Sequence, residues 1–292
     1  MSCHLRSIYF AVACLLLGAV PSAHAEVKLA SIFGNSMVLQ RDLPVPVWGW
    51  ADAGEDVTVT LGDQTKKAKT DQDGRWQVKL DALKANADGQ TLSVVGNNSI
   101  ELNDVLIGEV WICSGQSNME WNLGNSTNGK EEVAAADHPL IRLFNVPGHT
   151  TSPVAQDECP GDWQVCKPNS AKGFSAVGYF FGRRLQQELN VPIGLVGSNW
   201  GGTRIEPWTS PAGFRSVPEL KAVADQVDAY SKQTKAGRTT PSAIYIAMVH
   251  PLAPFAMRGA IWRLRTQGRR SSAGRWRPDR ARSLMRARGS QS

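Results

Sequence analysis

Histidine and cysteine are scarce in this chain. Of five histidines only His138, His149 and His250 lie beyond residue 25, and of five cysteines only Cys113, Cys159 and Cys166 do. There is no CxxC pair and no clustering of histidine with cysteine, so nothing in the spacing points to a metal site, and no cofactor is expected. Beyond residue 25 no apolar run approaches the ~20 residues of a membrane-crossing helix. Residues 263–292 contain no lysine and no glutamate, but ten arginines and one aspartate. That stretch contributes +9 to a formal net charge of +6, which leaves the other 262 residues at −3. The body of the protein is therefore mildly acidic, and the positive surplus is no argument for a nucleic-acid partner.

The first 25 residues have the layout of a cleavable targeting segment. His4 and Arg6 open it, Ile8–Val20 is apolar, and Ala23-His24-Ala25 fits a small-residue cleavage site. An apolar run of about 13 residues is too short to span a bilayer. The expectation is a secreted or periplasmic protein without a membrane partner. In an oxidising compartment Cys159 and Cys166, which bracket a loop containing Pro160-Gly161, could form a local disulfide. Cys113 then remains as a small buried hydrophobe. The ten tryptophans fit either sugar handling or a large core.

Residues 26–105 read as a small all-β unit resembling a sandwich. Val45–Trp50, Val57–Leu61, Trp76–Leu80 and Thr91–Val95 are β-branched or aromatic runs. Turn signals at Ala53-Gly54, Asp73-Gly74, Asp88-Gly89 and Gly96-Asn97-Asn98 separate them. From residue 106 to 262 strand and helix alternate. Val110–Cys113, Ile141–Val146, Pro192–Gly197 and Arg258–Trp262 are strand runs, and Phe174–Leu189 and Pro218–Lys232 have helical periodicity. That alternation predicts an α/β domain with a parallel sheet.

The organising stretch is Gly108–Trp121. An apolar strand ends at Ser114-Gly115, and Ser117 follows at once. A serine just past a buried strand occupies the position where α/β folds place ligands and nucleophiles. The N–H groups of a following helix would point at developing negative charge. A plain turn or N-cap serine is the other reading. Gly201-Gly202 follows the third strand and falls on the same carboxyl edge. It is either a tight turn or a close approach of backbone to an anion.

Several segments in register resemble the sialate O-acetylesterase-like branch of the SGNH hydrolases. They are Gly115-Gln-Ser-Asn-Met119, Gly173–Gly182 after Cys166-Lys-Pro, Asn199–Trp208, Met248–Leu252, and Phe255–Trp262. Leu39-Gln-Arg and Trp48-Gly-Trp50 resemble that branch's N-terminal β domain. The likeness covers about residues 26–262. It implies an SGNH-type, flavodoxin-like sheet and a serine esterase that removes O-acetyl groups from sugars such as sialic acid. Ser117 takes the nucleophile position, and the oxyanion hole is formed by Ser117 N–H with one of Gly201 and Gly202. A non-catalytic carbohydrate-binding protein is the alternative.

The sequence departs from that family after Trp262. The family continues there into Gln-Gly-Glu-Ser, and an Asp-x-x-His pair far downstream supplies the base. Neither is present, and none of His138, His149 and His250 has an aspartate three residues before it. Residues 263–292 are expected to be a disordered tail read out of frame, with a genuine basic interaction tail as the other reading. The sheet is then incomplete. A serine hydroxyl is a poor nucleophile without a base in hydrogen-bond reach. Removing the base costs roughly 10⁶ in turnover in one serine protease, so little or no activity is expected of this chain.

Overall fold

A computed structural model describes residues 26–230, 232 and 235–263. The targeting segment at 1–25 and the arginine-rich residues after 263 lie outside the described residues.

Residues 26–98 contribute seven strands and, among the described residues, no helix. They are β1 (Lys28–Leu29), β2 (Val38–Gln40), β3 (Val45–Trp50), β4 (Asp56–Leu61), β5 (Gln64–Lys69), β6 (Arg75–Leu80) and β7 (Asn86–Val95). Four were legible from β-branched and aromatic alternation. β5, with the sequence QTKKAK, has no such signal. It is an edge strand paired to β4 alone, where lysines discourage pairing with other chains. Strands β1, β3 and β6 form a three-stranded antiparallel sheet. Val45 and Val47 of β3, Trp76, Val78 and Leu80 of β6, Val57, Val59 and Leu61 of β4, and Leu92 and Val94 of β7 all enter one core. Each set is spaced by two, as a strand with one buried face requires.

β8 (Ser99–Gly115) is the spine of the molecule, at 17 residues. Its first half pairs antiparallel with β7, and Leu106–Gly108 pair parallel with β2. Its second half lies parallel between two strands of the following unit. The boundary expected at 105/106 therefore falls inside one continuous strand. Val105–Val110 are buried without interruption, so both units share this strand and no linker separates them.

The remainder is mixed α/β. After β8 come α1 (Ser117–Glu120), α2 (Gly129–Ala134), β9 (His138–Asn145), β10 (Trp163–Cys166), α3 (Pro168–Lys172), α4 (Ala176–Leu189), β11 (Ile193–Asn199), α5 (Pro211–Arg215), α6 (Lys221–Tyr230), α7 (Ala243–Met248) and β12 (Gly259–Arg263). The strand order is β10-β9-β11-β8, with β12 on the other side of β8. β9, β11, β8 and β12 are parallel, and β10 is an antiparallel edge. β12 runs one residue past Trp262, and Arg263 pairs with Gly115. The expected helix at 218–232 is a 3-10 turn at Pro218–Leu220 followed by α6.

Alternate residues of the parallel strands feed opposite cores. Cys113, Ile141, Leu143, Ile193 and Leu195 pack with Phe174, Tyr179 and Leu185 around α4. Val110, Phe144 and Val196 join the large core of the β unit. Cys159 belongs to the large core and Cys166 to the α4 core, and both are free thiols. The local disulfide expected from their spacing is not formed, because the two side chains are packed into different cores.

Candidate active site

Ser117 opens α1 at the carboxyl end of β8, on the sheet edge expected from sequence. Two features put it there. Gly115 has φ +137°, and a Cβ on it would lie 2.4 Å from the Arg263 carbonyl oxygen. Only glycine lets β8 turn this sharply against β12. The Gln116 N–H then donates to Arg263 O at 3.0 Å, and Gln116 O accepts from Met119 and Glu120 N–H. Met119, 1% exposed, anchors the short helix beneath. Gln116 at the N-cap gives no side-chain hydrogen bond, so no side chain caps the first turn of the helix, and the Met119 and Glu120 amides are taken up by Gln116 O. The Ser117 side chain is half-buried, and among the described residues its hydroxyl has no hydrogen-bond partner.

β11 delivers the second wall. Ser198 and Asn199 lie in register with Ser114 and Gly115, and Trp200 N–H donates to Gly115 O at 3.0 Å. The turn therefore starts directly beside the Ser117 turn. A Cβ on Gly201 would stand 3.3 Å from Ser117 Oγ and 2.3 Å from Glu120 Oε2. The missing side chain is what lets this backbone come up to the serine. Gly202, at φ +73°, meets nothing within 4 Å of where its Cβ would stand. Sequence left the choice between the two glycines open, and the geometry puts Gly201 at the serine and gives Gly202 the bend. Thr203 Oγ1 donates to Trp200 O at 2.7 Å and accepts from Trp208 Nε1 at 2.9 Å, which pins the turn from behind.

Two site residues were missed in the sequence. Gly201 N–H donates to Glu120 Oε2 at 2.8 Å, so this amide is held by a carboxylate. The other oxygen of that carboxylate pairs with His149 Nε2 at 2.6 Å. The His149 ring stacks on Trp200 with centroids 4.7 Å apart and 5° between planes. Glu120 had a signal that could have been read, since it lies three residues after Ser117, on the same face of a helix. His149 had none, because only the fold brings its loop there.

The other histidines serve elsewhere. His138 Nε2 lies 3.1 Å from the Tyr179 hydroxyl, and burial holds its pKa below the usual imidazole value. His250 follows α7 and lines a separate cleft. Among the described residues no histidine is hydrogen-bonded to Ser117. No group of three or more metal-binding side chains occurs among them, and no described helix is long and apolar enough to cross a membrane.

Comparison with known proteins places these features in a family context. Residues 107–237 match the family described as "Carbohydrate esterase, sialic acid-specific acetylesterase". The chain is 34% identical to the human sialate O-acetylesterase over 271 residues, which is 85% of this chain and 50% of the human protein. It is 31% identical to the mouse sialate O-acetylesterase over 295 residues, or 87% of this chain and 54% of that one. Among solved structures, a carbohydrate acetylesterase from Xanthomonas citri superposes with a TM-score of 0.71 at 36% identity, covering 81% of this chain and 50% of that one. The chain spans about half the length of the relatives it matches.

Proposed function

We propose, from the relation of residues 107–237 to the sialic acid-specific carbohydrate acetylesterases, that this protein handles O-acetyl esters of sugars by acyl transfer to Ser117. The finer fold assignment belongs to the same proposal: an SGNH-type, flavodoxin-like sheet follows a small β-sandwich. The parallel order β9-β11-β8-β12 and the shared core of β3, β4, β6 and β7 support it. Export through the segment at 1–25 is also proposed.

One observation carries the reading. Ser117 opens a helix whose first turn no side chain caps, with the Gly201 backbone 3.3 Å from its hydroxyl at the missing Cβ. In the proposed reaction Ser117 Oγ adds to the acetyl carbonyl carbon as its proton passes to a base. The carbonyl oxygen becomes an oxyanion facing the N–H groups of Ser117 and Gly201. Collapse expels the sugar oxygen, which takes up a proton, and water then cleaves the acetyl-serine to acetate. Each such donor contributes about 3–4 kcal/mol in serine hydrolases. Trp121, next to α1 and 56% exposed, offers an apolar face to the sugar.

The proposal includes slow turnover. The imidazole nearest in the network is tied to Glu120, and an uncollected hydroxyl proton is the main barrier. Hydrolysis of p-nitrophenyl acetate and of O-acetylated sialic acid, with Ser117→Ala as control, is the test. Slow release of acetate that vanishes in the variant supports the proposal. Sugar binding with no hydrolysis in either protein favours the non-catalytic alternative.

A further inference from the structure

A second cleft lies between the outer face of the β1-β3-β6 sheet and the segments at 156–157 and 250–254. Its volume is about 390 Å³, within the ~300–1,000 Å³ of small-ligand sites. It shares no lining residue with the Ser117 site. We propose that it binds a short neutral oligosaccharide.

The lining comes from strand alternation. Val45 and Val47 of β3 point to one side of the sheet and Trp48 and Trp50 to the other, half-buried, where Trp48 meets Phe33 edge-on with ring centroids 4.8 Å apart. In the register of β3 with β6, Trp50 lies opposite Arg75 and Trp48 opposite Gln77. Indole rings and planar polar groups thus alternate across one sheet face. Aromatic rings offer a flat apolar surface to the C–H face of a pyranose, and polar groups at their edges suit its hydroxyls. Across the cleft, Asp157 accepts from Arg75 Nη2 at 2.7 Å, which ties the two walls together and sets the width. His250 lines the same space.

Charge selects the occupant. The lining carries Asp71 and Asp157 against Arg75, and Arg75 is already paired. No lysine and no unpaired arginine lines the cleft for a carboxylate, so a neutral glycan is favoured over a sialylated one. The cleft would hold the chain of a larger substrate rather than its acetylated residue.

The test is titration of the full chain carrying Ser117→Ala, so that binding is read apart from any hydrolysis. Xylotetraose, cellotetraose and N-acetyllactosamine serve as neutral probes and 3′-sialyllactose as the acidic one, followed by calorimetry and tryptophan fluorescence. The expected result is saturable binding of at least one neutral probe, at least tenfold tighter than sialyllactose. Trp50→Ala should weaken it at least tenfold. Arg75→Ala, at an exposed position that leaves the core untouched, should weaken it at least threefold with an unchanged circular dichroism spectrum. The proposal is overturned if no neutral probe binds, if sialyllactose binds as tightly, or if binding survives Arg75→Ala in a folded variant. None of these outcomes bears on whether Ser117 is the nucleophile.

Discussion

Gly201 N–H is bonded at 2.8 Å to the carboxylate of Glu120, the residue three positions after Ser117. An amide that should receive a developing oxyanion is thus occupied by a side-chain carboxylate, and the substrate oxygen has to take its place. Glu120→Gln keeps an acceptor for that amide but removes the charge. At a few ångströms and moderate exposure such a charge is worth about 1 kcal/mol against the transition state. The expected outcome is a rise in kcat/KM for p-nitrophenyl acetate of about fivefold. A fall would mean that the carboxylate assists the reaction.

The two adjacent glycines separate experimentally. Gly201→Ala drives a methyl into Glu120 Oε2 at 2.3 Å and to 3.3 Å from Ser117 Oγ, so the carboxylate must swing away and the turn is pressed against the serine. Losing or moving one oxyanion donor costs about 10²–10³ in turnover. Gly202→Ala meets nothing, but its φ of +73° strains any other residue. It should cost about 1 kcal/mol of stability and leave turnover within about threefold. Kinetics and thermal melts of both variants check this.

Burial pushes the Cys113 thiol up to about 12, Cys159 to about 11 and Cys166 to about 12. Thiolate is therefore disfavoured in the fold. The stabilising contribution is fully present below the unfolded thiol pKa near 9 and is lost as pH rises from there through about 11–12. Iodoacetamide at pH 8 should leave all three native thiols unmodified and label all three in guanidinium chloride. Peptide mass mapping of Cys113, Cys159 and Cys166 before and after unfolding is the measurement, and a Cys159–Cys166 cross-linked peptide from the native protein would instead reveal a disulfide.

Glu109, 3% exposed, ties the start of the parallel sheet together. It accepts from Arg41 Nε at 2.7 Å and from Arg258 Nε at 2.9 Å. Removing it leaves the two guanidinium groups at the junction of the two units with only the more distant Asp42, at 3.8 Å from Arg41 and 3.9 Å from Arg258. Fully buried pairs cost ~3–5 kcal/mol when broken. Both arginines keep some contact with water, so Glu109→Ala should cost about 2–3 kcal/mol in urea unfolding.

What sequence revealed and what it hid divide along a physical line. Ser117 was legible because an apolar run ending in Ser-Gly fixes both the strand and its edge. The parallel strands and α4 were legible because burial on one or two faces imposes a period. β5 was hidden because an edge strand needs no apolar face. The reach of β8 through both units was hidden because its exposed first half gives way to a buried second half without any break in pairing. The Glu120–His149 pair depends on a loop that only the folded sheet brings alongside, and residue spacing carries no trace of such a contact. The Cys159–Cys166 bridge misled because closeness in sequence says nothing about which core each thiol enters.

The most direct test of the central claim is peptide mass spectrometry of the protein after exposure to a fluorophosphonate ester probe. The account predicts a slow, single adduct on Ser117, absent from Ser117→Ala and faster in Glu120→Gln. Unchanged acetate release by Ser117→Ala, or an adduct on another serine with Ser117 untouched, would contradict it.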